Sequence, residues 1–333
     1  MNAAGYNLST ERCYFCQSRD LKNHSRAVYW QILDLHFVKC QKCGLIFANP
    51  MPDMEAVVRG NRALSLYQGG RGTISQYRGG KTFSLMLKRL RDSGVLLDVG
   101  CAEGFFLLGV EENSRWKAEG IEIVPSAVEF ANNRLHIKVY QSTLENLEGL
   151  EKRYHFIRMN NVIEHVQNPV VFLKKAYRLL KPDGWIYCST PNGFQDGQRL
   201  RAANDRGITI NLLENHFFYY LPKTLCEMFR ASGFKVIKTY CEDVRHTFSN
   251  LGLLPWFRYS PKTQSLKMEN FIHRINRPIQ IADREIANLK NHSSLKTWQL
   301  NIQWIRHEYF RIKFPWFFPL GHQQHIWAKK VGS

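Results

Sequence analysis

The sequence predicts an α/β chain in which a mostly parallel sheet is covered by helices on both faces, preceded by a small metal-bound unit. Three observations carry this expectation. Between residues 95 and 240, short apolar runs alternate with amphipathic helical stretches at the spacing of βαβ units. Those runs, as in Val95-Leu96-Leu97, are apolar at successive positions, which requires burial on both faces and therefore a parallel arrangement beneath helices. Ahead of them stand two close cysteine pairs, Cys13/Cys16 and Cys40/Cys43.

The cysteine pairs define the first unit, residues 1–50. Each pair lets two thiolates grip one ion from a tight knuckle, and four thiolates complete a tetrahedral zinc shell with no open position, which is the pattern of a structural zinc ribbon. Asn49-Pro50-Met51-Pro52-Asp53 supplies a Pro-rich exit. Residues 51–92 read as a helical linker, and the Gly-, Tyr- and Arg-rich stretch at 64–81 suits a mobile loop or broken helix, either a lid or a surface connector. Gly79-Gly80-Lys81-Thr82 is not a phosphate-binding loop, because that pattern needs glycine at position 75 and finds Ser75 with no strand before it.

Residues 93–333 form the α/β domain. Strands are expected at 95–99, 118–123, 138–141, 155–159, 184–190 and 234–240, and helices at 105–113, 125–134, 169–180 and 222–232. Beyond residue 244 the period changes to long helical stretches, an insertion at about 246–311, before a last strand at 324–329.

Composition sets the outer limits. The 333 residues are 44% hydrophobic and 22% charged, ordinary for a globular chain. No run reaches the roughly 18 to 20 apolar residues needed to span a bilayer, and residues 1–12 lack a signal-peptide pattern, so a cytoplasmic location is expected. Cys101, Cys188, Cys226 and Cys241 are scattered and read as small core residues. The formal charge is +18, and residues 245–333 hold 14 Lys and Arg against 4 acids. A field of that sign attracts nucleic acid, anionic lipid heads or phosphorylated substrates, or simply keeps the surface soluble. In the same tail Trp298, Trp304, Trp316 and Phe317 alternate with basic residues, which suits either a membrane interface or a helical cap on the domain.

The chemistry concentrates at Val95-Leu96-Leu97-Asp98-Val99-Gly100-Cys101-Ala102-Glu103-Gly104, an apolar strand ending in an acid and a glycine turn that opens a helix. Glycine there lets main-chain NH groups approach a ligand closely. A dinucleotide fingerprint would need glycine at 102, where Ala102 stands, and Gly104 falls one residue early, so NAD is disfavoured. About 20 residues on, Glu122 ends the next strand, as a carboxylate that holds ribose hydroxyls should.

Four runs, LLDVGCAEGFFL, EGIEIVPSAVEFA, FIRMNNVIEHVQNP and LLKPDGWIYCSTPN, together resemble the class I S-adenosylmethionine (SAM)-dependent methyltransferases over residues 95–240. The resemblance implies a Rossmann-like, doubly wound sheet of seven strands with the last antiparallel, which residues 324–329 would supply. It places Asp98, Gly100, Cys101 and Gly104 at the methionine part of SAM, Glu122 and Ile123 at the ribose, and Asn160 and Asn161 at the strand end facing the methyl donor. Ser142 and Thr143 fall beside adenine, where the family more often has Asp-Ala. A two-knuckle ribbon ahead of this domain is also similar to a subgroup acting on saccharides and other small metabolites.

Methyl transfer from a sulfonium is an in-line displacement, so alignment and exclusion of water matter more than reactive side chains. A hydroxyl acceptor benefits from a base, for which His165 and His216 are the candidates. Glu164 with His165 also resembles a pair associated with a divalent cation in quinone O-methyltransferases. The expectation is transfer to oxygen of a small-molecule or saccharide-type acceptor, with peripheral contact to anionic lipid open. An RNA methyltransferase and a non-enzymatic ribbon protein on a degenerate scaffold are the alternatives.

Overall fold

The computed structural model describes residues 9–29, 33–53, 71–212, 216–242, 314–315 and 321–332. The expected insertion at about 246–311, the aromatic tail and residues 54–70 of the expected linker lie outside them. In chain order the strands are β1 (Leu21–Tyr29), β2 (Leu33–Cys40), β3 (Ile46–Ala48), β4 (Val95–Val99), β5 (Lys117–Glu122), β6 (Val139–Gln141), β7 (Tyr154–Asn160), β8 (Leu180–Pro191), β9 (Ile210–Leu212), β10 (Phe218–Tyr219), β11 (Phe234–Glu242), β12 (Phe314–Pro315) and β13 (Gln323–Lys330). The helices are α1 (Arg71–Leu90), α2 (Phe105–Glu111), α3 (Pro125–Arg134), α4 (Pro169–Leu179), α5 (Gly193–Asn204) and α6 (Pro222–Ala231).

The main sheet runs β12-β11-β13-β8-β7-β4-β5-β6. Strands β4 to β8 pair in parallel, and β13 inserts antiparallel between β8 and β11, which makes seven strands with the last one reversed. The two-residue β12 adds to the outer edge of β11. Local chemistry fixes where the helices begin. Proline opens α3, α4 and α6, where its missing NH has no partner to lose. Asn168 caps α4 by accepting from the NH groups of Val170 and Val171, and Asn192 caps α5 by accepting from Phe194.

One face of the sheet packs on α1, α2 and α3 through Phe83, Phe106, Phe156 and Trp327. Residues 71–81 of the stretch expected as a mobile loop or broken helix belong to the continuous helix α1. Its glycines serve a close crossing with α2: a Cβ at Gly80 would sit 2.0 Å from the Phe106 carbonyl oxygen, and one at Gly109 would sit 2.2 Å from that of Tyr77. Packing here outweighs the roughly 1 kcal/mol by which glycine disfavours a helix.

The opposite face carries a second sheet, ordered β10-β3-β2-β1-β9. Its three central strands come from the cysteine unit, and both edges come from the segment between α5 and α6. Strand β9 joins β1 in parallel, and β10 joins β3 antiparallel with Phe218 opposite Phe47 and Tyr219 opposite Ile46. Phe37, Phe47, Phe218 and Tyr219 are fully buried in the same apolar cluster as Leu173, Ile186 and Phe229 of the main domain. Burial of each such side chain is worth about 1.5–3 kcal/mol. Among the described residues no helix is long and apolar enough to cross a membrane.

Candidate functional site

The carboxyl ends of β4, β5, β6, β7 and β8 open on one rim, where open α/β sheets bind their ligands. The β4 turn is drawn against β5 by the NH groups of Gly100 and Cys101, which donate to the Ile121 carbonyl at 2.8 and 3.1 Å. Gly100 has φ 70°, and a Cβ there would lie 2.8 Å from Val162 Cγ2, so the position needs glycine on two counts. Gly104 closes the turn as the N-cap of α2. The Cys101 thiol points into the core beside Gly120, which leaves only its main chain at the rim.

Glu122 reaches from β5 back to the turn. One oxygen accepts from the Ala102 NH at 3.0 Å, and the other accepts from Ile123 and Val124 at 2.8 and 3.0 Å. Burial raises its carboxyl above the ordinary value, and these three NH groups pull it back. A carboxylate has about four lone-pair directions, so one is left for a ligand hydroxyl.

Asp98 is 1% exposed and receives Arg158 Nη1 at 2.7 Å, its direct neighbour in register across β4 and β7. The guanidinium lies 3.8 Å over the Phe106 ring. Arg158 joins the site by register, and its signal in the residues is that a lone arginine in a strand buried on both faces needs an acid opposite.

Glu103, inside the glycine turn, is a further member of the site. Burial, helped by the Glu122 charge, raises its carboxyl from 4.5 to about 7. With Asp98 and Glu122 it places three carboxyls around Cys101, a local acidic spot on a chain of formal charge +18. A folded-state value above the unfolded one means that Glu103 contributes stability below pH 4.5 that is lost as pH rises through about 7. Glu103→Gln should therefore melt with the wild type at pH 4 or below and about 2 °C or more above it at pH 8. Equal melting temperatures at both pH values would show that Glu103 is solvated.

Ser142 and Thr143 follow β6, with the Ser142 NH donating to the Glu122 carbonyl at 3.2 Å and its hydroxyl to the Thr143 carbonyl at 2.9 Å. Asn160 accepts from the Ser189 hydroxyl at 2.5 Å, and Asn161, with φ 54°, accepts from Gln323 at 2.8 Å. The ends of β7, β8 and β13 are thereby tied together.

Beyond β7, Glu164, His165 and His216 converge, with one ligand atom from each within 4.8 Å of the others. Glu164 is 1% exposed and accepts from the Thr190 hydroxyl at 2.9 Å. The two imidazole centroids are 5.0 Å apart. His216 arrives there because the NH groups of Phe217 and Phe218 donate to the Glu164 carbonyl at 2.8 and 3.2 Å.

Cys13, Cys16, Cys40 and Cys43 form the second cluster, again within 4.8 Å, and none is in a disulfide. Cys13 and Cys43 sulfurs are 3.6 Å apart, and those of Cys16 and Cys40 are 3.5 Å apart. Tetrahedral zinc with Zn–S bonds near 2.3 Å sets its sulfurs about 3.8 Å apart, so the donor set fits that ion.

The strand order and the rim define a Rossmann-like α/β domain whose reversed strand lies inside the sheet. A family model described as a methyltransferase domain matches residues 74–239. A ubiquinone biosynthesis O-methyltransferase of Cereibacter sphaeroides (strain ATCC 17025) is 33% identical over 106 residues, 29% of this chain and 41% of that protein. The Rickettsia akari (strain Hartford) protein of the same name is 32% identical over 133 residues, 38% of this chain and 49% of its own length. The chain thus spans less than half the length of these curated relatives. Among solved structures, a Burkholderia thailandensis 1,6-didemethyltoxoflavin-N1-methyltransferase shares 13% identity at a TM-score of 0.46, over 88% of this chain and 98% of that one. Residues 74–239 belong to the class I SAM-dependent methyltransferases.

Proposed function

We propose that this chain transfers a methyl group from SAM to an oxygen of a small-molecule or saccharide-type acceptor. The observation that carries the reading is Glu122 at the end of β5, whose carboxylate accepts from Ala102 of the glycine turn and from Ile123 and Val124 and has one lone-pair direction left for a ligand hydroxyl. Bound SAM supplies an electrophilic methyl on a sulfonium. The residues fit it: the turn admits no side chain at Gly100, and Glu122, joined by Glu103 as that carboxyl ionises near pH 7, sets negative charge beside the turn for a cationic donor, while the Asp98 charge is balanced by Arg158. Glu122 and Ile123 would hold the ribose, Ser142 and Thr143 would border the adenine, and Gly100, Cys101 and Gly104 would line the methionine part with main chain. Asn160 and Asn161, at the end of β7, would orient the reacting groups.

His165 and His216 would take the proton from an acceptor hydroxyl, and Glu164, anchored by Thr190, would stabilise the imidazolium so formed. The names of the relatives, O-methyltransferases of ubiquinone biosynthesis, support an oxygen acceptor. The same cluster carries a second reading. Two imidazoles and a carboxylate are a donor set for a divalent cation, which would acidify a coordinated hydroxyl. Added Mn²⁺ or Mg²⁺ would then stimulate the dialysed protein, and His216→Ala would abolish that stimulation.

Incubation with tritiated-methyl SAM and fractionated cell extract tests the substrate class. Label is expected in small soluble or saccharide material. Label in RNA would favour the nucleic-acid alternative, and absence of SAM binding would favour the non-enzymatic scaffold.

A further inference from the structure

We infer that the four-cysteine unit positions the acceptor side of this site, so that metal binding at Cys13, Cys16, Cys40 and Cys43 governs the order of residues 216–220. The inference rests on the proposed role of His216 beside the reacting groups. The connection is short and continuous. The knuckle closes with the Cys40 NH on the Leu45 carbonyl and the Gly44 NH on the Cys40 carbonyl, both at 2.9 Å, and β3 begins at the next residue, Ile46. Strand β3 pairs with β10, and the Ala48 NH donates to the Phe217 carbonyl at 2.8 Å. Phe217 and Phe218 in turn donate to Glu164, whose side chain belongs to the imidazole cluster.

Side chains reinforce the same seam. Tyr14, between the first two cysteines, sets its ring edge-on to Phe47 at 5.3 Å and to Phe218 at 5.5 Å. From the far side, the Thr224 hydroxyl of α6 donates to the Cys43 carbonyl. Strand β10 is two residues long, and β3, three residues long, is held on its other side by β2, which itself ends at Cys40. Small metal-bound units lose their structure with their ion. Releasing the ion therefore frees β3, and β10 with His216 follows. The donor side, built by β4 and β5 through the Ile121 carbonyl and Glu122, shares an apolar cluster with the cysteine unit through Leu97, Val99 and Ile121 but has no hydrogen bond to it among the described residues.

Hydrogen exchange with mass-spectrometric readout on the full chain tests this without any acceptor. The zinc-loaded protein, the protein stripped by a chelator under reducing conditions, and the stripped protein given back Zn²⁺ are compared. Exchange at 217–220 should accelerate about tenfold or more on stripping and recover with zinc. Strands β4 and β5 should keep their protection, and SAM affinity should stay within about twofold. Unchanged exchange at 217–220 after the ion has gone overturns the inference. Loss of protection across β4 and β5 as well on stripping is equally fatal, because the ion would then hold the whole chain and not this seam. Absence of methyl transfer in a protein that shows the coupling would refute the proposed function alone, whereas its presence without the coupling would refute only this inference.

Discussion

An Arg158→Ala chain is expected to lose about 3–5 kcal/mol of folding stability at neutral pH, the usual cost of stripping one partner from a buried ion pair. Asp98 is 1% exposed, and its guanidinium partner lies 2.7 Å away. Burial already raises the Asp98 carboxyl above its ordinary value, with Arg158 opposing the rise. Without Arg158 the folded-state value climbs further above the unfolded one, so stability is kept at low pH and lost as pH rises through it. The deficit measured by urea unfolding should therefore be smaller at pH 4 than at pH 7. Asp98→Asn in the same background should recover most of it, because an amide carries no charge to strand. A deficit below about 1 kcal/mol would mean that water reaches the pair.

The second large effect is expected at Glu122. Glu122→Ala should weaken SAM or S-adenosylhomocysteine binding by about 100-fold or more, measured by titration calorimetry. Two effects add. The turn loses the acceptor for the Ala102 NH, at a residue with φ 48°, and the nucleoside loses a charged acceptor for its hydroxyls. Hydrogen bonds to a charged group contribute about 1.5–3 kcal/mol each, and 1.4 kcal/mol is a factor of ten. Glu122→Gln keeps one acceptor oxygen but turns an NH₂ group toward main-chain donors, so an intermediate loss of about tenfold is expected. Wild-type affinity in Glu122→Ala would remove the ribose assignment and leave the rim without its anchor.

What was legible in the residues, and what was not, follows from the range of the forces involved. The β4 turn, Glu122 and the cysteine pairs are set by local needs, namely a sharp bend, a strand end and a knuckle, and each leaves a signature within a few positions. Helix α1 shows the reverse. Glycine at 79 and 80 argues for a loop when only neighbours in sequence are weighed, and only the carbonyl of Phe106 beside Gly80 explains its place in a helix. Strands β9 and β10, of three and two residues, are too short to carry any hydrophobic period, so the second sheet is not legible in the residues, where only the cysteine unit that supplies β1 to β3 leaves a signature. Asp98 and Arg158 stand 60 positions apart, and only the register of β4 on β7 makes them partners. His216 was singled out from its segment alone, but its meeting with Glu164 and His165 depends on main-chain bonds that no spacing rule encodes.

The insertion of β13 between β8 and β11 has a consequence for biosynthesis. As the polypeptide leaves the ribosome, β8 is complete at residue 191, yet the strand that covers its outer side is not finished until residue 330. Throughout that interval the nascent chain exposes an unpaired strand edge, the feature that recruits foreign strands and seeds aggregation. Translation speed and chaperone supply should therefore govern soluble yield, and premature stops between β11 and β13 should give insoluble product even though the turn, the carboxylates and both cysteine pairs have already been made.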